Sequence, residues 1–173
     1  MRKILILALV LIPLILLSVF IYNKFLSQKY IQTSPQNVIP TVFNQNLKTF
    51  KSSTMDFTVQ IPNYYQATEK LTYVDLKSDN GLVDVVRNRT NFNSLDEYLK
   101  DTDSRKKLSI FSRENLEING YNAESRIEQN KDSGVKQKVY YIFVDGSVYI
   151  ISTKIESLYS DLDQIAQSFK YTP

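Results

Sequence analysis

Apolar and polar residues alternate with a period of two along much of the chain after residue 50. In Met55–Tyr65, which reads MDFTVQIPNYY, the side chains of Phe57, Val59 and Ile61 fall on one side. This alternation is typical of a strand with one buried face. Pro62 ends the run, because proline cannot donate a hydrogen bond to a sheet. The pattern predicts a first full strand whose apolar side faces a core helix.

Turn signals separate several further alternating runs. Asn119-Gly120 and Asp145-Gly146 each stand between two such runs, and Asp79–Gly81 reads DNG between two more. Asn-Gly and Asp-Gly are strong signals for two-residue hairpins. The spacing therefore predicts an antiparallel sheet of about six or seven strands.

Two stretches follow a helical period instead. Ser94 is followed by Glu97 three residues later, which is the pattern of a capping box at a helix start. The apolar face predicted for this helix consists of Leu95, Tyr98, Leu99 and Thr102. A second apolar stripe, at spacings typical of a helix, consists of Leu158, Leu162, Ile165, Ala166 and Phe169.

The last predicted hairpin decides the architecture. Val139–Val144 and Val148–Ile151 are apolar on both faces, whereas a strand exposed on one side would alternate. These strands are therefore predicted to be central and covered on both sides, with one helix on each. The sequence predicts an α+β fold in which helices sandwich the antiparallel sheet, an α/β/α arrangement.

The N-terminal segment is different in character. Ile4–Tyr22 holds 19 residues without a charge, and as a helix it would span about 28 Å, close to the thickness of a bilayer core. Residues 1–22 are predicted to be a cytoplasmic stub with a transmembrane signal anchor. A cleaved signal peptide is the alternative, but its apolar region would be shorter and would end at a small-residue site. Arg2 and Lys3 favour a cytoplasmic N-terminus, by a narrow margin over Lys24 and Lys29.

The anchor leads into a polar segment and then the domain. Residues 23–49 are rich in Asn, Gln, Ser and Thr and contain Pro35 and Pro40, which predicts a tether. Residues 50–173 are predicted to be an extracytoplasmic domain. The predicted location is the cell membrane, with a single pass and a bilayer contact through Ile4–Tyr22.

Composition narrows the possible chemistry. The 173-residue chain has no cysteine and no histidine, so disulfides, thiolate nucleophiles and the commonest general base are all missing. The first fifty residues hold five of the 21 basic residues and none of the 18 acidic ones, so the domain is close to neutral. A near-neutral domain lacks the basic footprint of a nucleic-acid-binding protein. No catalytic residue, cofactor or metal ligand is predicted.

The ordered set of elements resembles the PsbP-like family. The match begins with FKSSTMDFTVQIPNYY and continues through the SLDEYL helix, the EINGYNAES and VYYIFVDGSVYIIS hairpins and the final SFK. The resemblance implies an α/β/α sandwich and a bacterial, membrane-attached member. Chloroplast members of the family are extrinsic subunits on the oxygen-evolving side of photosystem II, and most bacterial members have no assigned activity. The family as a whole implies a non-catalytic binding scaffold.

Tyrosine is the most abundant candidate for a partner surface, with 12 residues in the chain. Tyrosine is enriched at protein interfaces, and it also packs in cores with its hydroxyl reaching water. A partner surface, with core packing as the alternative, is predicted for Tyr64, Tyr65, Tyr140 and Tyr149.

The function expected from these features is a membrane-anchored, extracytoplasmic binding or scaffold module that docks a protein or an envelope component near the membrane. One alternative is a subunit of a larger envelope machine, such as a secretion or pilus assembly. Another is a hydrolase using a Ser–Lys pair, for which the S-x-x-K matches are Ser104–Lys107 and Ser133–Lys136. A carboxylate-based hydrolase would instead need several side chains to converge from among Asp75, Asp84, Glu124 and Glu128.

Overall fold

The computed structural model describes residues 46–173, so the predicted anchor and nearly all of the predicted tether lie outside the described residues. Within residues 46–173 the chain forms ten strands and two α-helices. The strands are β1 Leu47–Lys51, β2 Phe57–Pro62, β3 Gln66–Glu69, β4 Tyr73–Ser78, β5 Gly81–Arg89, β6 Leu108–Ile118, β7 Tyr121–Asn130, β8 Lys136–Val144, β9 Ser147–Thr153 and β10 Lys170–Tyr171. The helices are α1 Leu95–Arg105 and α2 Tyr159–Gln167, the latter preceded by a short 3-10 turn at Glu156–Leu158.

The strands form two sheets. Seven of them lie in the order β3-β4-β5-β9-β8-β7-β6, and every neighbouring pair is antiparallel. This confirms the predicted antiparallel sheet of six or seven strands. The other three strands form a second sheet in the order β1-β2-β10. The strand in Met55–Tyr65 thus lies in this second sheet, which the sequence pattern did not predict.

The first strand corrects a predicted boundary. The polar tether was predicted to reach residue 49, but Leu47–Lys51 pairs with β2 from Leu47 opposite Pro62 to Lys51 opposite Thr58. Four of its five residues are exposed. Its order comes from backbone pairing to β2 and from the ring of Phe50, which packs against the core. The other four residues are exposed, so the sequence resembles a tether.

The hairpin turns predicted from the sequence are present. Asn119 and Gly120 join β6 to β7 with φ of 51° and 86°, and Asp145 and Gly146 join β8 to β9 with φ of 46° and 65°. Two consecutive residues with positive φ match the twist of antiparallel strands. Asparagine, aspartate and glycine accept this backbone conformation more readily than other residues do. The local sequence therefore sets both strand pairings.

Helix α1 begins at the predicted cap. The Ser94 hydroxyl accepts a hydrogen bond from the backbone N–H of Glu97 at 3.2 Å. The Glu97 carboxylate in turn accepts from the backbone N–H of Asn93 at 3.0 Å. The buried face matches the predicted one and consists of Leu95, Tyr98, Leu99 and Thr102.

One face of the seven-stranded sheet packs against α2 and the three-stranded sheet. Phe57, Val59 and Ile61 are at most 1% exposed and lie in the same core cluster as α2. This confirms the predicted orientation of β2. From the seven-stranded sheet, the same cluster receives Tyr140 and Ile142, among others.

The opposite face of the sheet packs against α1. A second cluster joins the buried face of α1 to Val139 and Tyr141 of β8 and to Val148 of β9. Alternate residues of β8 therefore enter opposite cores, which confirms that β8 and β9 are central strands covered on both sides. No helix within residues 46–173 is long and apolar enough to cross a bilayer.

Candidate functional site

The four tyrosines of the predicted partner surface lie in different environments. Tyr65, Tyr140 and Tyr149 are 0%, 5% and 0% exposed, whereas Tyr64 is 48% exposed. Because β8 and β9 are covered on both sides, tyrosines on these strands are core residues. Of these four tyrosines, Tyr64 is the one that a partner could reach. Its contact with a partner stays a prediction.

Tyr64 is held in a fixed position on the surface. Its hydroxyl donates to Asp161 at 2.6 Å, and the Tyr65 hydroxyl donates to the same carboxylate oxygen at 3.0 Å. The two rings lie with centroids 5.1 Å apart. Burial, and then the charge of Asp161, raises the pKa of Tyr65. The buried tyrosine and the first turn of α2 therefore position the exposed one.

The other two buried tyrosines have acceptors inside the domain. The Tyr140 hydroxyl donates to Asp163 at 2.7 Å. The Tyr149 hydroxyl donates to the backbone carbonyl of Met55 at 2.7 Å, and burial raises the pKa of Tyr149 to about 12. Both hydroxyls connect elements that are distant in sequence, which is a structural role.

The four carboxylates of the hydrolase hypothesis form two separate groups. Asp75 on β4 lies directly opposite Asp84 on β5, and burial, then the charge of Asp75, raises the pKa of Asp84. Glu124 and Glu128 lie on β7, which is three strands from β5 in the sheet. Strands are about 4.8 Å apart, so the two groups are separated by roughly 14 Å. The four side chains do not converge in one pocket.

Glu124 and Glu128 belong to a buried charge network around Arg126, whose side chain is 0% exposed. The guanidinium of Arg126 binds Glu124 through Nε and Asp103 of α1 through Nη1, the latter at 2.6 Å. Arg113 joins from the surface, at 3.1 Å from both Asp103 and Glu124. Burial lowers the pKa of Arg126, but hydrogen bonds to Asp103 and Glu124 outweigh it and raise the pKa.

Glu128 joins this network with a carboxylate oxygen 3.9 Å from Nη1 of Arg126. Its carboxylate accepts from the Gln137 amide at 2.8 Å and from the Tyr141 hydroxyl at 3.2 Å. Burial, and then the charge of Glu128, raises the pKa of Tyr141. Each of these groups is bound by another group of the domain, so the network fastens α1 to the sheet.

Neither S-x-x-K match forms a Ser–Lys pair. The Ser104 hydroxyl donates to the backbone carbonyl of Asp101 at 2.7 Å, and the Ser133 hydroxyl to the Asn130 side chain at 3.2 Å. Lys107 binds Asp132. Lys136 Nζ lies 5.5 Å from the centroid of the Phe111 ring. Within residues 46–173, no group of three or more acidic side chains could hold a metal ion.

Sequence reasoning missed a carboxylate site at the β1–β2 turn. Glu69 accepts hydrogen bonds from the hydroxyls and backbone N–H groups of a hydroxyl nest formed by Ser52, Ser53 and Thr54, including the Ser53 N–H at 2.9 Å and the Thr54 N–H at 3.1 Å. Partial burial raises the pKa of Glu69, but these hydrogen bonds outweigh it and lower the pKa to about 2. The consecutive hydroxyl residues were the available signal, because successive N–H groups in a turn form an anion-binding concavity.

Comparisons with known proteins support the fold read from these elements. No protein-family model and no curated protein sequence matches the chain. The solution structure of cyanobacterial PsbP (CyanoP) from Synechocystis sp. PCC 6803 aligns with a TM-score of 0.50 and 12% identity, over 80% of this chain and 99% of that chain. The described domain has a PsbP-like fold.

A second solved structure is consistent with this assignment of the fold. A crystal structure of a protein from Bacteroides thetaiotaomicron VPI-5482 aligns with a TM-score of 0.53 and 13% identity. The alignment covers 73% of this chain and 48% of that one, so the PsbP-like region corresponds to about half of the Bacteroides chain. At these identities the likeness shows the fold alone.

Proposed function

We propose that this protein is a single-pass membrane protein whose PsbP-like domain is a non-enzymatic binding or scaffold module. Ile4–Tyr22 would anchor it in the cell membrane with the N-terminus in the cytoplasm. The domain of residues 50–173 would then lie on the extracytoplasmic side and dock a protein or an envelope component there. The uncharged length of Ile4–Tyr22 supports the anchor, since about 20 apolar residues span a bilayer.

The arrangement of polar groups supports a binding role over catalysis. The candidate carboxylates are split between the Asp75–Asp84 pair and the buried network around Arg126. In both S-x-x-K matches the serine hydroxyl donates its hydrogen bond to an asparagine side chain or a backbone carbonyl and not to the lysine. An active site would instead bring a nucleophile and a base within hydrogen-bonding reach of each other.

Tyr64 is the single observation that carries the binding proposal. The residue is 48% exposed, yet its hydroxyl is fixed by Asp161 at 2.6 Å and its ring lies against Tyr65. A side chain that is already ordered loses less conformational entropy when it binds a partner. Leu47, which is 40% exposed, pairs with Pro62 close to the same loop, so the surface around Tyr64 is partly apolar.

Site-specific photo-crosslinking of the full-length chain in cells tests this proposal. A photoreactive amino acid replaces Tyr64 in one variant and Phe111, which is 61% exposed on β6, in a control variant. We expect position 64 to capture one defined envelope protein or polymer and position 111 not to capture it.

Equal labelling from both positions, or none from position 64, would contradict the assignment of this surface. Isolation of the captured species with several further subunits would instead identify the chain as a component of a larger envelope assembly. Fractionation of the same cells tests the anchor separately, because an unanchored chain would be released from membranes by a salt wash.

A further inference from the structure

A pocket that is lined by two arginines lies at one end of the seven-stranded sheet. It has a volume of about 400 Å³ and is lined by Thr54, Leu71, Thr72, Arg87 and Arg89, which we call the arginine pocket. The two arginines are two residues apart on β5, so their side chains leave the same face of the strand. This spacing places their Cα atoms about 6.6 Å apart, which allows both guanidinium groups to reach one ligand.

Arg87 is fixed in place before any ligand arrives. Its side chain is 15% exposed, its Nη1 lies 3.0 Å from Asp56, and its guanidinium carbon lies 6.0 Å from the centroid of the Tyr149 ring. A guanidinium has five N–H donors in a rigid fork, and the bond to Asp56 uses part of that set. The group is therefore ordered and still has donor capacity.

Arg89 supplies a charge that is not neutralised by the domain. It is exposed, and among residues 46–173 no carboxylate lies within 4 Å of it. Asp56 offsets the charge of Arg87 alone. Glu69, which accepts hydrogen bonds from Thr54 of the lining, is held by the hydroxyl nest. Within residues 46–173, the pocket is thus lined by one guanidinium that is paired with a carboxylate and by one that is not.

The rim of the pocket is apolar at one point. Leu71, in the turn between β3 and β4, is 82% exposed, which is the largest exposure among the large apolar side chains within residues 46–173. Thr72 beside it adds a hydroxyl to the lining. Two guanidinium groups, a hydroxyl and a protruding leucine suit an anion that is bonded to an apolar or aliphatic group.

We propose that the arginine pocket binds a phosphate group, supplied either by an anionic phospholipid headgroup or by a soluble phosphate ester. Arginine matches phosphate because its planar fork donates two parallel hydrogen bonds to two phosphate oxygens. In the lipid case Leu71 would enter the interfacial region beside the headgroup. The inference goes beyond the binding role above, since the pocket would bind phosphate whether or not Ile4–Tyr22 spans a membrane and whatever contacts Tyr64.

The first experiment measures binding of soluble phosphates. The full-length chain in a non-ionic detergent is titrated by calorimetry with glycerol 3-phosphate and with inorganic phosphate. We expect saturable binding that is weakened roughly tenfold or more by Arg89→Glu, because a charge-assisted pair is replaced by a repulsion. Lys131→Glu is the matched control, since it makes the same charge change at an exposed lysine of the β7–β8 turn, outside the pocket.

The second experiment tests the lipid as the source. The chain has no cysteine, so Leu71→Cys gives a unique site for an environment-sensitive fluorophore. The labelled full-length chain is reconstituted into phosphatidylcholine vesicles with and without phosphatidylglycerol. We expect a blue shift that requires phosphatidylglycerol and that is lost when Arg89→Glu is added but retained with Lys131→Glu.

The two experiments together decide the proposal. An Arg89-dependent signal in the vesicles identifies a lipid headgroup, and an Arg89-dependent signal with glycerol 3-phosphate alone identifies a soluble ester. The absence of any Arg89-dependent signal in both experiments overturns the proposal, provided that near-ultraviolet circular dichroism of the tyrosines shows the variant to be folded. Neither result depends on the crosslinking outcome at position 64.

Discussion

At the scale of single residues, Arg126 carries a buried charge that links β7 to α1. It is fully buried and holds Glu124 and Asp103. Replacing it with leucine removes the buried partner of Glu124, whose side chain is 4% exposed. Loss of one member of a buried ion pair typically costs about 3–5 kcal/mol. We expect Arg126→Leu to lower the free energy of unfolding by that amount, measured by urea denaturation followed by tyrosine fluorescence.

Arg113 provides the control for this prediction. It contacts the same two acids at 3.1 Å, but its side chain is 46% exposed. Exposed ion pairs contribute up to about 1 kcal/mol, so Arg113→Leu is expected to have a small effect. Equal losses for the two variants would show that burial of Arg126 does not set its contribution.

Glu69 links stability to pH. Its pKa in the folded domain is about 2, below the ordinary value of 4.5, so folding favours the ionised form. That contribution is complete above about pH 4.5 and is lost as the pH falls from there towards 2. We expect the melting temperature of the wild-type chain to fall more steeply over this range than that of Glu69→Gln.

The matched variant is Glu117→Gln, which removes an exposed carboxylate from β6. It should keep the wild-type slope of melting temperature against pH, because the hydroxyl nest still holds Glu69. Parallel curves for wild type and Glu69→Gln would remove Glu69 as a source of acid sensitivity.

At the scale of elements, the β6–β7 turn also secures the end of α2. The Asn119 side-chain amide donates to the backbone carbonyl of Phe169 at 2.7 Å and to that of Gln167 at 3.3 Å. Asp145 occupies the corresponding place in the β8–β9 turn, with a similar positive φ, and its carboxylate lies 3.4 Å from the Tyr171 hydroxyl. The two turns thus differ mainly in the groups to which their first side chains form hydrogen bonds.

This difference makes a testable prediction. Asn119→Ala and Asp145→Ala each place alanine at a backbone position with a similar positive φ, so the cost in conformational strain is the same for both variants. Asn119→Ala additionally leaves carbonyls after α2 unpaired, and a hydrogen bond contributes about 1 kcal/mol. We expect it to be the more destabilising by about that amount in thermal unfolding. Equal losses would show that the amide contributes nothing beyond the turn.

Elements with a local signal could be predicted from the sequence. Asn119-Gly120 and Asp145-Gly146 specified two hairpins, and the capping pattern at Ser94 specified the start of α1. In contrast, β10 has two residues and pairs with β2, more than a hundred positions earlier in the chain. Such a pairing depends on how the chain closes, and neither its length nor its composition indicates a strand.

The candidate sites were harder to predict for a related reason. Glu124, Arg126 and Glu128 alternate along β7, and this spacing alone indicates a shared face. It does not indicate burial, which arises because α1 brings Asp103 over that face. The burial of Tyr140 and Tyr149, in contrast, could have been predicted, because both lie in strands whose sequence already indicated cover on both sides.

At the scale of the whole molecule, the domain joins its first and last elements in one small sheet. β2 pairs with β1 on one side and with β10 on the other, and its apolar face enters the main core beside α2. The ring centroid of Phe50 in β1 lies 6.0 Å from that of Phe57. The Phe57 ring in turn stacks on Phe169 with centroids 5.8 Å apart. The start and end of the described chain therefore stabilise the same part of the core.

This arrangement predicts where an independent domain begins. Residues 44–173 form one compact unit by internal contacts, so a fragment with these bounds is expected to unfold in one cooperative transition, with coincident curves by circular dichroism and tyrosine fluorescence.

A fragment of residues 52–173 keeps Ser52 and the hydroxyl nest but lacks β1, which exposes one edge of β2 and removes the ring of Phe50. We expect it to melt at a clearly lower temperature, since an aromatic core contact and the pairing of five residues are lost. Identical melting temperatures of the two fragments would show that β1 does not stabilise the domain, in agreement with the boundary predicted from the sequence. Non-coincident curves for residues 44–173 would show that this unit does not fold alone.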